Sequence, residues 1–480
     1  MDDERAPIGL FSASTLTVVS LGCVGMIEYS LVMPSLNEYV TEQLHGSNFF
    51  YGMSMAAFSA ARVCFMPVLG TWSDRRPMIE PFMFSIMLAL CGNVMYATAQ
   101  WANSCWFVLI GRALIGMGAA NTTLSMSYIT RITTSETRTK ALATLNGVNL
   151  IGIVMGPATN LLINFTIKTP IDGLVLNKFT NPGWFMFLVL VVVLILMGCF
   201  FQEPAKIQGN QVERRESFAE MEQASLILAD DGLDQPLITS SESWQKMFLR
   251  LLIKESLWVH FVISFVSNFI LAELETAMPK LTNVDFGWST LENSAMYAVI
   301  GVLTAITLVS TGILSKHHSD RTFILVGTVL YGIALLIACL TMRKNPSLTV
   351  FIIVCSLLVV ASPITDSPNL AFYSKRLQSH PDAIPYLGLF IGFIQASNAV
   401  SRTIAPLYAG WALGDTSDQL KIYLGPAIIW GFSAVVLLFK YRTLKEVVSS
   451  VPDRWGTLRR QSSVLQSPML TISAPGAVSP

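Results

Sequence analysis

The 480-residue chain is 52% hydrophobic and only 13% charged, a balance that soluble globular proteins rarely reach. This composition excludes an ordinary soluble domain and indicates a protein that spans a membrane. The 31 basic and 31 acidic residues cancel to a formal net charge of zero. The total charge therefore gives no reason to expect a nucleic-acid partner or a strongly acidic ligand.

Taken in chain order, the apolar runs fall into two sets of six. A helix needs ~20 apolar residues to cross a bilayer, and runs of about that length occur at 15–39, 50–70, 81–100, 106–129, 141–162 and 184–201. A polar segment follows, and further runs occur at 257–279, 291–314, 322–341, 348–371, 386–411 and 422–439. Six spans, a hydrophilic loop and six more spans are typical of a duplicated bundle. We therefore predict an all-α, polytopic membrane protein with about 12 transmembrane helices in two pseudo-symmetric six-helix bundles.

The segments around the spans divide the chain into five units. Lys and Arg residues of the short loops concentrate on one side, which the positive-inside rule makes the cytoplasmic side and which includes both termini. The composition of the central loop predicts a mostly flexible segment with one short amphipathic helix, and that of the Ser- and Pro-rich tail predicts disorder. The predicted units are a cytosolic N-terminus at 1–14, a first bundle at 15–201, a cytosolic central loop at 202–256, a second bundle at 257–440 and a cytosolic tail at 441–480.

The central loop contains one short pattern that suggests a partner. Acidic Glu222 is followed, after three spacers, by Leu226 and Ile227. This spacing resembles the acidic dileucine signal that endolysosomal sorting adaptors bind, and an ordinary helix turn explains it equally well. A sorting adaptor is therefore a candidate partner of this loop.

Corresponding spans of the two bundles share local patterns. The leading spans contain EYSLVMPSL from Glu28 and ELETAMPKL from Glu273, each with Glu, four residues, Met-Pro, one residue and Leu. The fifth span of each bundle contains NLIGIVMGP from Asn149 or NAVSRTIAP from Asn398, in which Pro follows Asn by eight positions. These echoes predict two halves related by duplication.

Polar and ionisable residues inside the spans are the candidate functional groups. Insertion scales give a cost of about 2.5–3.5 kcal/mol for a charged group at the centre of a spanning helix, so each one is expected to face protein or a water-filled cavity. The alternatives are a neutral, hydrogen-bonded packing group for an acid and a structural ion pair for an arginine. The candidate substrate or proton pathway comprises Glu28, Arg112, Asn149, Glu273, Glu275, Asp366, Asn398 and Arg402.

Glu28 and Glu273 are the candidate proton carriers. Each lies about one and a half turns before a proline, which interrupts the helical hydrogen bonds and allows a bend. A carboxyl beside a bendable segment suits a carrier that takes up a proton on one side and releases it on the other. Glu275 lies about 200° around the helix from Glu273, so only one of these two can squarely face a central cavity.

Arg112 and Arg402 are the candidate anion-binding groups. A guanidinium keeps its charge and binds carboxylate or phosphate through two parallel hydrogen bonds. Arg402 follows Asn398 by four residues, so both project from one face of their helix. Two arginines in one cavity would favour an anionic substrate, and either would equally serve to neutralise Asp366 or a glutamate.

Two further motifs have both structural and conformational interpretations. The loop GTWSDRRP is either a positive-inside anchor or a conformational latch formed by Gly70, Asp74, Arg75 and Arg76. Its second-half copy, GILSKHHSDR, has Lys316 and His317 near the position of Asp74, which argues against a symmetrical latch. In the fifth span, a small-xxx-small face with a kink predicts close helix packing by Gly152, Gly156 and Pro157.

The twelve-span plan, with GTWSDRRP after the second span, RALIGMG in the fourth and GIVMGP in the fifth, resembles the major facilitator superfamily over most of residues 15–440. More narrowly, GRALIGMGAANTTLSMSYIT, ETRTKA, the Glu-Thr pair at Glu275 with Pro279, and FYSKRL resemble the lysosomal, ceroid-lipofuscinosis branch. That branch is related to vacuolar carriers that bear an SPX domain and move phosphate. The resemblance implies alternating access between two halves in an endolysosomal or vacuolar membrane, and an anion, chloride or phosphate, as substrate.

We therefore expect secondary active transport of a small anion, with protons as a candidate coupling ion and the lipid bilayer as surroundings. The alternatives are a chloride channel of the same fold and a non-transporting scaffold that binds partners through its central loop. The sequence contains no recognisable nucleotide cradle, metal cluster or nucleophilic triad. We expect neither an enzyme nor a cofactor or metal requirement.

Overall fold

The computed structural model describes residues 12–133, 135–166, 176–204, 244–315, 317–342, 346–380, 383, 386–414 and 420–441. Within these ranges the regular structure is helical and contains no strand, which confirms the all-α prediction. Successive long helices run in opposite directions, so the start of the first and the end of the last lie on one side of the molecule. We call this side, which carries Ala13 and Lys440, the termini side, and the opposite side the far side.

The first half contains the helices before the central loop. A short π-helical turn, Tyr39–Gln43, follows the second of them. The helices are α1 (Ala13–Leu31), α2 (Met33–Glu38), α3 (Asn48–Arg75), α4 (Ile79–Ala102), α5 (Cys105–Ala119), α6 (Asn121–Ile132), α7 (Ser135–Thr166) and α8 (Asn181–Phe200).

The second half contains the remaining long helices. A short amphipathic helix, α9 (Trp244–Lys254), precedes them and buries Met247 and Leu251 against the termini-side ends of two of them. The long helices are α10 (Trp258–Phe286), α11 (Thr290–Leu314), α12 (Asp320–Thr341), α13 (Leu348–Gln378), α14 (Leu387–Ala412) and α15 (Leu420–Lys440).

Eleven segments of the described chain are long and apolar enough to cross a membrane. The remaining long helix, α14, occupies the place of the predicted eleventh span and is 26 residues long. Its central stretch contains Gln395, Asn398 and Arg402, and these polar side chains make it less apolar than the others. Asn398 and Arg402 bond to side chains of α10, so this face of α14 contacts protein.

The shared Met-Pro pattern has a different structural result in each half. In the first half, helix α1 ends at Leu31 and α2 begins at Met33. Pro34 lies in the first turn of α2, where its missing N–H is tolerated. In the second half, Pro279 lies inside the continuous helix α10. A proline there leaves the carbonyl four residues earlier without its helical donor, and the Tyr297 hydroxyl of α11 donates to that carbonyl, on Glu275.

The two halves meet on the far side. Helix α3 packs against α14, α7 packs against α11, and α2 packs against both α10 and α11. Asn48 Nδ2 donates to the Leu413 carbonyl at 2.8 Å, and Ser294 Oγ donates to Asn160 Oδ1 at 3.2 Å. The α3 and α14 backbones approach so closely that a Cβ on Gly52 would lie 2.2 Å from a carbonyl oxygen of α14.

On the termini side, two ion pairs each join helices of a single half. Asp74 pairs with Arg131 at 3.0 Å in the first half, and Asp320 pairs with Lys375 at 2.6 Å in the second. At mid-membrane the side chain of Arg402 is 27% exposed. The described contacts between the halves thus lie at mid-membrane and on the far side, and we infer that the space between the halves opens toward the termini side.

Candidate functional site

A three-residue cluster joins the halves at mid-membrane. Tyr29 of α1 donates its hydroxyl to Glu275 Oε2 of α10 at 3.1 Å. Arg402 of α14 donates from Nη1 to the Tyr29 hydroxyl at 3.1 Å and lies 3.4 Å from Glu275 Oε2. An ion pair within the second half is thus completed by a phenol from the first half.

The cluster continues into the second half through an amide. Arg402 Nε donates to Asn268 Oδ1 at 3.4 Å, and Asn268 Nδ2 donates to Asp366 Oδ2 at 3.3 Å. Ser362 also donates to that oxygen, whereas Asp366 Oδ1 is buried without a hydrogen-bond partner among the described residues. Two carboxyl groups therefore flank one guanidinium, directly for Glu275 and through an amide for Asp366.

The geometry separates the two glutamates of α10. Glu275 faces the other half and is 17% exposed, whereas Glu273 is buried inside the second half. Glu273 lies within electrostatic range of Cys355, Tyr408 and Tyr423. Its Oε1 has no hydrogen-bond partner in the described part of the chain. The residue of α10 that faces the space between the halves is therefore Glu275, not Glu273.

Glu28 occupies a buried polar site in the first half. It accepts a hydrogen bond from Asn93 Nδ2 of α4, and it lies within electrostatic range of Arg112. The Arg112 side chain is fully buried, with its guanidinium 4.7 Å from the centre of the Phe58 ring. None of its three nitrogens has a hydrogen-bond partner among the described residues. Burial of a cation is costly unless it is compensated, so the nearby acid and the aromatic face are its electrostatic support.

The corresponding acids Glu28 and Glu273 thus have different surroundings. Glu28 has a hydrogen-bonded amide and a guanidinium within electrostatic range, whereas a thiol and two phenols lie within electrostatic range of Glu273. The sequence repeat therefore places the two acids at corresponding positions, but the side chains near them differ.

The remaining predicted site residues of the spans lie at helix contacts. Asn149 lies against Gly22 of α1, where an added Cβ would be 2.7 Å from Asn149 Oδ1. Asn398 accepts from Ser264 Oγ of α10 at 2.5 Å. A Cβ on Gly152 would lie 2.5 Å from a carbonyl oxygen of α1.

Gly156 also lies against α1, and Pro157, which follows it, is buried inside α7. The small-residue face of the fifth span therefore contacts the first span.

The latch itself stays a prediction, but the asymmetry that Lys316 and His317 suggested does not extend to the ion pairs. Asp74, at the end of α3, pairs with Arg131 at the end of α6. Asp320, a few residues beyond the positions compared in the sequence, pairs with Lys375 near the end of α13. Asp74 follows Gly70 by four residues, whereas Asp320 follows Gly312 by eight and is the first residue of α12. A comparison that counts four residues from each glycine therefore misses Asp320.

The other residues of the predicted latch are less constrained. Gly70 has no close neighbour, since an added Cβ would be 3.9 Å from the nearest atom, on Thr123. Arg75 is exposed, and Arg76 lies 3.9 Å from Glu80. The sorting pattern at Glu222, Leu226 and Ile227 lies outside the described residues.

Several residues of the site were missed in the sequence. Arg62 of α3 donates from Nη2 to Thr122 Oγ1 at 3.1 Å and lies within electrostatic range of Arg402 and Tyr29. As a cation inside the predicted span 50–70, Arg62 met the criterion applied to the other candidates. Tyr29 and Asn268 gave no such signal, because neutral residues in a span commonly pack or bond locally.

Two helical halves that close on one side around a buried, charged centre define a polytopic membrane protein with the architecture of a duplicated bundle. The family described as Major Facilitator Superfamily matches residues 18–384. The chain belongs to this superfamily, which confirms the resemblance predicted from its motifs.

Two relatives illustrate the match along the chain. An SPX domain-containing membrane protein of Arabidopsis thaliana is 24% identical over 453 residues, which cover 87% of this chain and 62% of the relative. The chain thus spans somewhat less than two thirds of that protein. Major facilitator superfamily domain-containing protein 8 of Xenopus laevis is 22% identical over 488 residues, with 88% of this chain and 89% of the relative covered.

Solved structures share the fold at low sequence identity. A bacterial homologue of the human lysosomal transporter Spinster, in an inward-facing and occupied conformation, matches with a TM-score of 0.63 at 12% identity and covers 89% of this chain and 96% of its own. A D-xylose-proton symporter matches with a TM-score of 0.64 at 13% identity and covers 90% and 98%. These likenesses establish the architecture alone.

Proposed function

We propose that the chain is a secondary transporter that moves a small anion together with protons, by alternating access, across an endolysosomal or vacuolar membrane. The observation that carries this proposal is Arg402, a partly exposed cation at mid-membrane that is shared between Glu275 and Tyr29. A guanidinium in this position is suited to bind an oxyanion or a halide that enters from the open side.

Competition for Arg402 supplies a coupling mechanism. While Glu275 is ionised, it occupies the guanidinium at 3.4 Å. A proton on Glu275 removes this charge, and Arg402, which keeps its own charge, then becomes available to an anion. Proton and anion therefore bind together, and the ion pair forms again once both have left.

Tyr29 connects this exchange to the relative position of the halves. Its hydroxyl belongs to the first half but contacts both members of the second-half pair. An anion that takes its place on Arg402 removes a contact between the halves at mid-membrane. Occupancy of the site thus changes the free energy difference between the two access states.

Arg62 supports an anionic rather than a neutral substrate. It lies on α3 within electrostatic range of Arg402, so two guanidinium groups from opposite halves approach the same space. A neutral solute such as a sugar would gain little from two cations. The endolysosomal location is supported by the motif resemblance and by the adaptor-type pattern at Glu222, Leu226 and Ile227.

Uptake into proteoliposomes tests the proposal. Purified full-length protein is assayed with labelled chloride, phosphate, sulfate and a small dicarboxylate, and with xylose, in the presence and absence of a pH gradient. We expect accumulation of at least one anion that depends on the gradient and falls at least tenfold in Arg402→Gln, whereas the exposed-site control Arg250→Lys behaves like the wild type.

Three results would contradict the proposal. They are uptake of xylose alone, anion uptake that is insensitive to both the gradient and Arg402→Gln, and single-channel current steps in a planar bilayer. The last would favour the chloride-channel alternative.

A further inference from the structure

Glu38 forms a charged contact between the halves on the far side. It lies at the end of α2, and its side chain is only 5% exposed. Its Oε2 accepts from Lys178 Nζ at 2.5 Å and from Thr290 Oγ1 at 3.0 Å. Lys178 belongs to the first half and Thr290 to the second, so one carboxylate oxygen joins three segments.

The segment that carries Lys178 is fixed to the first half. Asn177 Oδ1 accepts from the backbone N–H groups of Phe179 and Thr180 at 2.9 and 3.0 Å, and its Nδ2 donates to Gln100 at 2.6 Å. The Phe179 ring stacks on Tyr39 with 5.5 Å between centres. Lys178 therefore holds the Glu38 carboxylate in place within the first half, and its contacts among the described residues, with Glu38 and the Phe179 ring, lie in that half.

Thr290 is the first residue of α11, so Glu38 places its negative charge at the N-terminus of that helix. The positive end of the helix dipole favours an anion there. The helix has its own cap, because Ser289 and Glu292 form a reciprocal capping box within the second half. Glu38 is thus an additional carboxylate, supplied by the other half, at a helix terminus that does not need it for capping.

We propose that Glu38 is the far-side gating residue of this transporter. Its carboxylate, positioned by Lys178, holds the first half to α11 while the central site is open to the termini side. The bond to Thr290 breaks when the far side opens. The proposal rests on the alternating access of the proposed function and is independent of the identity of the substrate.

Other contacts between the halves on the far side limit the effect of losing the Glu38 contact. Asn160 with Ser294, and the close approach of α3 to α14 at Gly52 and Gly410, also join the halves there. Loss of the Glu38 contact therefore shifts the equilibrium between the access states and does not abolish the closed state.

Distance measurements between spin labels test the gate directly. Labels are placed at Ala102 and Ser347, exposed far-side positions of the two halves, in full-length protein in lipid nanodiscs with the exposed native cysteines replaced by serine. Double electron–electron resonance then reports the ratio of far-side-open to far-side-closed molecules. Glu38→Gln keeps the size of the side chain, and Thr290→Val removes only the hydroxyl.

We expect both variants to raise the open-to-closed ratio about tenfold or more, the change expected for loss of one charge-assisted hydrogen bond. Lys178→Met should raise it less, since Lys178 only positions the carboxylate. Glu292→Gln is the matched control, because it neutralises an acid in the same helical turn whose bonds stay within one half; its distance distribution should equal that of the wild type.

An unchanged distribution in Thr290→Val would overturn the proposal, even if Glu38→Gln proved too unstable to measure. A shift in Glu292→Gln as large as that in Glu38→Gln would also overturn it. The readout does not depend on transport, so failure of the anion-uptake assay with a normal Glu38 effect would contradict the proposed function and leave the gate intact.

Discussion

At the scale of single residues, two glutamates two positions apart on α10 have separate environments. Sequence reasoning favoured Glu273 because it repeats Glu28, and it recognised that only one of Glu273 and Glu275 would face the centre. Helix rotation decides between them, and Glu275 is the one that contacts Arg402 and Tyr29. The proton-carrier proposal therefore moves to Glu275.

Substitution of each glutamate by glutamine removes the titratable proton with little change in size. We expect Glu275→Gln to abolish the dependence of anion uptake on a pH gradient, because Arg402 no longer has an ionisable competitor. Glu273→Gln should retain that dependence, since no contact to the central cluster is lost. Uptake rates with and without the gradient measure both effects, and the reverse pattern would return the role to Glu273.

At the scale of helices, α10 stays continuous across Pro279 because of a side chain from its neighbour. Pro279 leaves the Glu275 carbonyl without a helical donor, and this carbonyl accepts a hydrogen bond from the Tyr297 hydroxyl instead. In the first half, the equivalent proline lies where the helix breaks and restarts. The same dipeptide therefore gives a break in one half and a supported helix in the other.

Removal of the Tyr297 hydroxyl tests this support. Tyr297→Phe leaves a buried carbonyl without a donor, a loss of about 1–3 kcal/mol, and should lower the thermal midpoint of the detergent-solubilised protein. Pro279→Ala restores the backbone N–H and should recover most of the loss in the double variant. An equal loss in the single and double variants would show that the hydroxyl acts elsewhere.

The seam between α3 and α14 depends on glycine. A Cβ at Gly52 would lie 2.2 Å from a carbonyl oxygen of α14, so Gly52→Val must separate the helices, at a cost of about 1–3 kcal/mol for overpacking. We expect a raised far-side-open fraction or a lower thermal midpoint. Gly147→Val is the control with the same change in helix propensity, because no atom lies within 4 Å of its added Cβ. Equal effects at both sites would contradict a tight seam.

At the scale of the whole molecule, the spans could be predicted because the bilayer sets both their length and their composition. The duplication was visible because Glu28 and Glu273 repeat at matching places. The partners of the charged residues could not be predicted in the same way. The pairing of Lys178 with Glu38, for example, depends on the relative positions of segments that lie far apart in the sequence.

The ion pair of the second half could not be predicted for the same reason. Asp320 and Lys375 mirror Asp74 and Arg131, although a loop of different sequence precedes the second acid. Architecture and pseudo-symmetry thus follow from local patterns, whereas the site depends on contacts between helices that those patterns do not specify.

The central claim is that proton and anion move together through competition at Arg402. Its most direct test uses proteoliposomes that contain a pH-sensitive dye and are given an inward gradient of the transported anion with no initial pH difference. We predict that the anion gradient alone acidifies the interior, and that Glu275→Gln and Arg402→Gln lose this acidification. Anion entry without any change in internal pH in the wild-type protein would contradict the account.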